Sequence, residues 1–409
     1  MIPTFRQLLA APAWGRAWVR GIAASAAISL LVVSCGSGSD QPGASGPGIH
    51  YHHERVSKVP WSIHVVKIER GRRDLELRTT LGRGASIGLG TLVDQVTGVP
   101  ANAGIPLAAL NGDFYEVNER NPYHGDPRGL QIFDGELVSA ATDQASFWID
   151  AAGVPQATNV LSKLAVLWPD GSRTAIGLNE ERERSAAVLY TPRLGASTKT
   201  KGGREFVLER AGDGPWLPLQ TGVECTARVR EARNTGNTPL GPDVMVLSFG
   251  PEFVANQNAP AGVRLESGAA LRISTATIPD LKGVKMAISG GYVLVRDGVM
   301  QDLKVPRSGE YKYRTVNERH PRSAIGASRD HIYFCEVDGR LPGFSMGMTL
   351  AELGEHMRKL GCELVLSLDG GASATFWLKG KVMNKPCNGD VRPIANGVVV
   401  VKKSAAAKR

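Results

Sequence analysis

Short apolar runs separated by glycine and proline recur along the chain, and this pattern is typical of β-strands rather than long helices. The clearest runs predict strands at 61–68, 106–110, 331–337, 364–368 and 397–402. The runs between 150 and 285 are shorter, and there we expect a series of short strands, for example at 187–190, 205–208 and 244–247.

Two Asp-Gly pairs indicate hairpins. Asp134-Gly135 and Asp297-Gly298 each stand between apolar runs, and Asp-Gly is a preferred sequence for the type I′ turn that joins two antiparallel strands. We therefore expect hairpins at 129–138 and 292–300.

Two capping boxes indicate helix starts. Thr91 precedes Asp94, and Thr349 precedes Glu352, by the three positions that let side chain and backbone cap each other. The first helix is expected to run to about Gly98. The second carries an apolar stripe at helical spacing and should end at Gly361. The stripe consists of Leu350, Leu353, Met357 and Leu360.

Strand, helix and strand over 331–368 make a βαβ unit with parallel strands. Together with the other runs, this unit predicts an α+β (mixed α/β) fold. We expect a mixed β-sheet core with the βαβ unit at its C-terminal end and a β-rich middle segment at 150–285.

The N-terminus has the features of a secretion signal. Three arginines in the first twenty residues precede a small-residue and apolar stretch at 21–34, which is too short to span a bilayer. Cys35 follows apolar and small residues, and this arrangement resembles a bacterial lipobox. The resemblance implies cleavage before Cys35 and acylation of its thiol; the alternative is an ordinary signal peptide with a chance cysteine.

These features divide the chain into a lipoprotein signal peptide at 1–34, a flexible Gly/Ser/Pro tether at 35–58, one domain at 59–403 and a basic tail at 404–409. The protein is therefore expected in the bacterial cell envelope, held at the membrane by an N-terminal lipid anchor. Gly36 rather than an aspartate follows Cys35. This favours the outer membrane facing the periplasm, or the cell surface.

The charge balance favours an anionic partner. The net charge is +9 and the pI about 9.4, which suits phosphate-bearing glycans or anionic headgroups. No block of Lys and Arg with interleaved aromatic residues stands out, so we expect no nucleic-acid partner.

Three histidines near the tether, His50, His52 and His53, could in principle bind a metal ion. No cysteine or acid stands at ligand spacing beside them, so we expect them to be solvated.

Four apolar strands end in a polar or acidic residue together with glycine. The endings are Asn111-Gly-Asp113, Ser289-Gly290-Gly291, Asp338-Gly-Arg340 and Asp369-Gly370-Gly371-Ala-Ser373. Ligands bind beyond the carboxyl ends of parallel strands, and glycine lets them approach the backbone closely. Each Asp-Gly alone is typical of a turn, but four similar endings predict a common site.

If the strands before Asp338 and Asp369 are neighbours, the two carboxylates lie at one rim, where such a pair can serve as acid and base in glycoside cleavage. Asn111 and Arg322 could hold phosphate or hydroxyl oxygens, the arginine through paired hydrogen bonds. Were the aspartates level, Cys335 and Cys362 would be offset by roughly 13 Å along the strands. That offset exceeds disulfide reach, so we expect no bond between these two cysteines.

The same residues lie in motifs that resemble the phosphodiester glycosidase family. The matching segments are Asn111-Gly-Asp113-Phe114, 129–135, Arg319-His-Pro-Arg322-Ser-Ala-Ile-Gly326, Asp338-Gly-Arg340, 347–353, 368–373 and the positions Asn384, Pro386 and Arg392. Ser323 stands where the family usually has threonine, and Ala372 where it has a third glycine. The resemblance extends over residues 60–402.

This resemblance implies hydrolysis of a glycosyl-phosphodiester bond, with a phosphorylated glycan or another sugar-1-phosphodiester as substrate. Bacterial members of the family are often linked to envelope or exopolysaccharide glycans. We expect Asp369, Asp338 and Arg322 to be catalytic. The expected substrate-binding residues are Asn111, Asp113, Arg319, Gly290, Gly291, Gly370, Gly371, Ser373, Asn384 and Arg392.

Two other functions stay open at this point. A non-catalytic lipoprotein could bind envelope glycan in the same cleft, and a phosphodiesterase would break the P–O rather than the C–O bond. No cofactor is implied with certainty. The carboxylates could instead hold a divalent cation, for which Ca²⁺ is the first choice because it takes oxygen ligands.

Overall fold

β-Strands account for most of the regular structure in the computed structural model, which describes residues 46–256, 259–303 and 311–403. These residues belong to one compact unit, Gly36–Arg409. The predicted signal peptide, the lipidation site at Cys35, the start of the tether and the basic tail lie outside the described residues. Among the described helices, none has the length and apolar character needed to span a membrane.

The strands are, in chain order, β1 (Ile49–Val56), β2 (Trp61–Glu69), β3 (Leu75–Thr79), β4 (Ile105–Asn111), β5 (Gln131–Phe133), β6 (Glu136–Ser139), β7 (Thr142–Ile149), β8 (Pro155–Ser162), β9 (Ala165–Leu167), β10 (Arg173–Ala175), β11 (Gly177–Leu178), β12 (Ala187–Tyr190), β13 (Arg204–Arg210), β14 (Glu224–Arg233), β15 (Met245–Phe249), β16 (Ala270–Ser274), β17 (Thr277–Ile278), β18 (Ala287–Ser289), β19 (Val293–Arg296), β20 (Val299–Met300), β21 (Arg322–Ala327), β22 (His331–Val337), β23 (Leu364–Ser367), β24 (Phe376–Leu378), β25 (Lys381–Val382) and β26 (Gly397–Lys402). The α-helices are α1 (Leu92–Thr97), α2 (Pro251–Ala255), α3 (Tyr311–Asn317) and α4 (Leu350–Lys359). Short 3-10 helices cover Ala101–Ala103, Pro192–Leu194, Ala261–Arg264 and Gly371–Ser373.

Over the described ranges, the strands form four sheets. Sheet I has the order β1-β2-β22-β21-β23-β19-β20, and sheet II the order β25-β24-β4-β26-β3. Sheet III is β17-β8-β7-β18-β5-β6, and sheet IV is β10-β9-β16-β14-β13-β15-β12-β11. The fold is thus mixed α and β as predicted, but strands dominate it more than the prediction implied.

Sheets I and II enclose one apolar layer. Ile325, Phe334 and Leu366 of sheet I share this core with Phe376 and Val398 of sheet II. Side chains alternate between the faces of a strand. The residues next to Ile325, Phe334 and Leu366 in sequence therefore point to the other face of sheet I, where they pack against α4. Helix α1 covers the outer face of sheet II. A separate core joins sheets III and IV.

The local signals for turns are confirmed, and both helices begin after the predicted threonines, although Thr91 caps the Asp94 N–H without the reciprocal bond of a full capping box. Asp134 and Gly135 have φ values of 54° and 83°, and Asp297 and Gly298 have φ values of 51° and 73°, as a type I′ turn requires. At the start of α4, Thr349 and Glu352 cap each other reciprocally. Such a cap stabilises a helix by about 1 kcal/mol.

The strands of the predicted βαβ unit are parallel but are not neighbours. β21 lies between β22 and β23 and is antiparallel to both. The connection from β22 to β23 runs through α4, whose Leu353 and Met357 share a core with Ala324 of β21. Cys335 and Ser367 both lie opposite Ala324, so the carboxyl ends of β22 and β23 reach the same edge of sheet I. Cys335 and Cys362 are separate thiols, as predicted.

The tether predicted to extend to residue 58 ends earlier. β1 pairs antiparallel with β2 along its whole length, and Ile49 and Tyr51 are buried in the core. The polar residues between them hid this alternation in the sequence. His53 is also less solvated than expected, because its ring stacks on that of His64 with the centroids 4.2 Å apart.

Candidate active site

Three of the four predicted strand endings are joined by backbone hydrogen bonds. The N–H of Asp369 donates to the carbonyl of Gly112 over 2.9 Å, and the N–H of Gly291 donates to the carbonyl of Ser367 over 2.7 Å. The ends of β4, β18 and β23 therefore meet beside one cleft, although they belong to three different sheets.

The cleft is lined by several basic groups and one acid. Its lining includes Phe114, Gly291, Tyr292, Arg314, Thr315, His320, Arg322, Arg340, Asp369, Gly370 and Gly371. Asp369 is the one carboxyl among these described lining residues. Arginine guanidinium groups and backbone N–H groups are the usual ligands of phosphate, so the lining suits an anionic ligand.

Asp369 is half-buried and has a perturbed pKa. Burial raises the pKa of its carboxyl to about 6, while the hydroxyl of Ser373, the N–H of Gly370 and the charges of Arg392 and Arg340 oppose that rise. The Gly370 N–H donates to Oδ1 over 2.8 Å. A carboxyl with this pKa is ionised at neutral pH but can exchange a proton near it, as a catalytic base or nucleophile requires.

Asn111 fixes Asp369 rather than facing the cleft. Its Nδ2 donates to the carbonyl of Asp369 over 2.7 Å, and its Oδ1 accepts from Ser323 Oγ (2.5 Å) and Thr375 N (3.2 Å). The side chain is fully buried. Asn111 is therefore placed as a positioning residue, not as the sugar-binding residue that the sequence suggested.

Asp113 is buried behind the same loop. Its carboxylate accepts from the N–H groups of Phe114 and Gly129, each over 2.8 Å. Burial raises the pKa of Asp113 to about 8, and the charge of Asp369 contributes to that rise while the two N–H donors oppose it. Asp113 is absent from the described lining of the cleft, so it supports the loop and does not contact a ligand there.

Two of the three guanidinium nitrogens of Arg322 are hydrogen-bonded to backbone carbonyls, so only one can contact a ligand in the cleft. Nε donates to the carbonyl of Met348 (2.7 Å), and Nη2 donates to those of Thr315 (2.7 Å) and Glu318 (2.8 Å). Nη1 is the nitrogen left for a ligand. Burial lowers the pKa of Arg322 to about 10, so the group is still charged at neutral pH.

Arg340, the last residue of the Asp-Gly-Arg motif, is a basic residue of the cleft that was not predicted to bind the substrate. Its backbone has a φ of 56°, and its Nε and Nη2 lie 3.3 and 3.2 Å from Nδ1 of His320. No carboxylate of the described residues forms an ion pair with it. The Asp-Gly-Arg motif was the signal in the sequence that could have indicated Arg340, but the catalytic role was predicted for its aspartate, Asp338, instead.

Gly370 and Gly371 leave room around these groups. A Cβ on Gly370 would lie 2.6 Å from the carbonyl oxygen of Pro321, and one on Gly371 would lie 3.2 Å from Nη1 of Arg340. Gly371 also has a φ of 61°. Glycine is therefore favoured at both positions, at 370 because a side chain would collide with Pro321 and at 371 because of the positive φ.

Asp338 lies at the same edge of sheet I, but its carboxylate is turned away from the cleft. Oδ2 is 3.4 Å from Nε2 of His64, and Oδ1 accepts from the N–H of Lys385 over 2.7 Å. The side chain is buried and does not line the cleft with Asp369. The two carboxylates form neither the expected acid–base pair nor, among the described residues, a shared cation site.

Two predicted binding residues serve other contacts. Arg319 forms an ion pair with Glu352 at 2.5 Å. Asn384 is buried, where its Nδ2 donates to Glu336 and its Oδ1 accepts from the N–H of Phe376. Neither residue lines the cleft.

The other predicted residues border the site. Ser373 is buried and its hydroxyl lowers the pKa of Asp369, but its Oγ has no hydrogen-bond partner among the described residues. The guanidinium of Arg392 lies 5.3 Å from the ring centroid of Tyr115, and its charge also acts on Asp369. Gly290 donates its N–H to the carbonyl of Ala145 over 2.9 Å and so anchors the loop after β18.

Comparison with solved structures places the fold among known ones. A hypothetical protein from Synechocystis matches with a TM-score of 0.68 at 18% identity, covering 87% of this chain and 62% of that protein. A putative exported protein from Burkholderia pseudomallei K96243 matches with a TM-score of 0.61 at 20% identity, covering 84% of this chain and 74% of that one. The zebrafish N-acetylglucosamine-1-phosphodiester alpha-N-acetylglucosaminidase catalytic domain has a TM-score of 0.43 at 15% identity, covering 89% and 86%.

Sequence comparison agrees with the motifs. The SPbeta prophage-derived uncharacterized protein YomE of Bacillus subtilis (strain 168) is 29% identical over 121 residues, which is 29% of this chain and 18% of that protein. The chain thus aligns with under a fifth of that relative's length. The family model described as phosphodiester glycosidase matches residues 222–401. The motifs at 111–114 and 129–135 lie outside that match. Over residues 222–401 the resemblance read from the motifs is confirmed, and this part of the chain carries the sequence features of the phosphodiester glycosidase family.

Proposed function

We propose that this protein is a hydrolase that cleaves a glycosyl-phosphodiester bond between a sugar's anomeric carbon and phosphate. The observation that carries the proposal is the cleft itself. It combines one carboxyl of raised pKa, Asp369, with the guanidinium groups of Arg322 and Arg340. The family match over 222–401 supports the same reaction class.

In this proposal the phosphate lies against Arg340 and the free Nη1 of Arg322. Charge-assisted hydrogen bonds from guanidinium groups stabilise the negative charge that grows on the departing phosphate. Phosphate is already a good leaving group, so strong acid catalysis at its oxygen is not required. Asp369 acts at the anomeric carbon as the nucleophile or as the base that activates water.

The stereochemistry of the product separates these two roles for Asp369. Retention of the anomeric configuration would identify it as the nucleophile of a two-step reaction, and inversion would identify it as the base for a single displacement by water. The anomer released in the first turnovers can be followed by proton NMR.

We further propose that the substrate is an envelope or exopolysaccharide glycan and that the protein acts as a lipid-anchored envelope protein. The signal sequence, Cys35 and the net charge of +9 support this location and an anionic substrate. Radiolabelled palmitate incorporation, compared with Cys35→Ser, would test the anchor. Absence of label in the wild-type chain would contradict it.

The reaction is tested by incubating the purified chain with a UDP-sugar and with an alkyl sugar-1-phosphodiester and measuring free sugar. We expect release by the wild-type chain and at least about 10³-fold slower release by Asp369→Asn. In ¹⁸O water, C–O cleavage places the label on the sugar, whereas P–O cleavage places it on phosphate and would contradict the proposal. Saturable glycan binding without turnover would instead support a non-catalytic binding protein.

A further inference from the structure

A second polar cluster lies apart from the cleft, on adjacent strands of sheet I. His64 on β2 is paired in register with Glu336 on β22, and Asp338 follows Glu336 by two residues and so shares its face. The three residues are only 3%, 0% and 1% exposed. Two acids and an imidazole therefore share a buried space between sheets I and II.

Each of these side chains has one polar atom held by a neighbour. Nδ1 of His64 is 2.8 Å from the hydroxyl of Tyr51, and Oδ1 of Asp338 accepts from the N–H of Lys385 over 2.7 Å. Oε1 of Glu336 accepts from Nδ2 of Asn384 over 3.2 Å. The atoms left over are Nε2 of His64, Oδ2 of Asp338 and Oε2 of Glu336.

The three residues lie close together, but two of the remaining contacts are poorly satisfied. One ligand atom from each residue lies within 4.8 Å of the others. Nε2 of His64 and Oδ2 of Asp338 are 3.4 Å apart, which is long for an N–H···O bond of about 2.7–3.2 Å. Oε2 of Glu336 is buried and has no hydrogen-bond partner among the described atoms. A buried carboxylate oxygen in this state is costly, so the fold has a reason to supply a partner.

The 3.4 Å between Nε2 of His64 and Oδ2 of Asp338 matches the separation of two ligands bound to one metal ion. Ligands about 2.1 Å from a tetrahedral ion are about 3.4 Å from each other. Outer contacts also suit the arrangement, because a metal-bound histidine typically has its second nitrogen held by a hydrogen-bond partner. In His64 that partner is the hydroxyl of Tyr51, which would fix the tautomer with Nε2 free to coordinate.

We propose that His64, Glu336 and Asp338 form a buried binding site for a divalent transition-metal ion of the Zn²⁺ type. One imidazole and two carboxylates match the ligands of such ions, whereas Ca²⁺ takes six to eight oxygens. The ion would join β2 to β22 and, through the contacts of Asn384 and Lys385, to the segment after β25. The proposal does not depend on the reaction in the cleft, since none of these ligands lines it.

The test measures metal uptake by the whole chain. The purified protein is stripped with a chelator, incubated separately with Zn²⁺, Mn²⁺ and Ca²⁺, desalted and analysed by mass spectrometry for metal content. We expect about one Zn²⁺ per chain in the wild type and a rise in Tm on loading. Glu336→Gln should lose both effects, while Glu363→Gln, on an exposed residue after α4, should keep them.

Tyr51→Phe gives a finer readout, because loss of an outer contact should weaken metal affinity about 10–100-fold without removing a ligand. Should Glu336→Gln fail to fold, crystals of the wild type soaked in Zn²⁺ must show an anomalous peak beside Nε2 of His64. Wild-type protein without retained metal, without a Tm shift and without that peak would overturn the proposal.

Discussion

Nδ2 of Asn111 donates a hydrogen bond to the backbone carbonyl of Asp369 over 2.7 Å, although 258 positions separate the two residues in the chain. The amide is buried and uses its oxygen for Ser323 and Thr375 at the same time. The end of β4 thereby sets the backbone from which the carboxyl of Asp369 extends into the cleft. A residue of this kind acts through another and should influence turnover more than substrate affinity.

Replacing Asn111 with alanine should therefore affect both stability and kcat. The change leaves the carbonyl of Asp369, the hydroxyl of Ser323 and the N–H of Thr375 without their partner, at a cost of about 1–3 kcal/mol for each buried group that stays unsatisfied. Urea unfolding gives the free energy, and steady-state kinetics give the kcat and KM. Asn102→Ala, on an exposed residue, is the control; an Asn111→Ala enzyme with wild-type kcat would refute the positioning role.

The pH dependence of activity should report the carboxyl of Asp369. Its pKa is raised to about 6, and the ionised form is the one that attacks or accepts a proton. We therefore expect kcat/KM to fall as the pH decreases through about 6 and Asp369→Asn to lose about 10³-fold or more in kcat at every pH. Asp297→Asn, in an exposed hairpin turn, should retain the wild-type profile. A profile without inflection near pH 6 would argue against Asp369 as the titrating group.

Arg340 should govern recognition of the phosphate. Arg340→Gln removes a guanidinium that has no described ion-pair partner, and a charge-assisted hydrogen bond contributes about 1.5–3 kcal/mol, or about 10–150-fold in KM. The measurement compares KM for a sugar-1-phosphodiester between wild type and variant. Arg358→Gln, which breaks a surface pair with Glu355, controls for loss of charge alone. Equal KM values for Arg340→Gln and Arg358→Gln would remove Arg340 from phosphate binding.

Asp113 should make stability depend on pH in a defined direction. Burial raises its folded pKa to about 8, above the value of about 3.9 for an unfolded chain, so the folded state holds the proton more tightly. Its contribution is fully present below about pH 4 and is lost as the pH rises through about 8. Asp113→Asn lacks this titration.

The Tm of wild type and Asp113→Asn, measured across the same pH series, isolates this effect because the other buried acids titrate in both chains. The wild type should lose Tm relative to the variant between about pH 4 and about pH 8. Two parallel curves would show that the pKa of Asp113 is not raised by folding.

Local signals in the sequence predicted local structure well. The Asp-Gly turns, the capping box at Thr349 and the stripe on α4 depend on neighbouring residues alone, and each formed as expected. Strand neighbours depend on contacts far along the chain. For that reason the position of β21 between β22 and β23 could not be read from the apolar runs.

The candidate site was predicted only in part, because it also depends on contacts between residues that are far apart in the chain. Asp369, Gly371 and Arg322, which the motifs predicted as site residues, line the cleft. The direction of a side chain, however, depends on the residues that pack beside it. Asp338 faces His64, which belongs to a strand more than 270 residues earlier, and no local pattern indicates that contact. The polar strand β1 was missed because its buried residues are outnumbered by histidines and charged residues.

β4 lies between β24 and β26 in sheet II, yet it precedes the stretch that matches the family by more than a hundred residues. A fragment of residues 222–401 would contain β24 and β26 but not β4, which lies between them. It would also contain Asp369 without Asn111, whose side-chain amide donates to the Asp369 carbonyl. The segment that matches the family model is therefore shorter than the set of strands that surrounds the candidate site, and expression trials should start no later than β1.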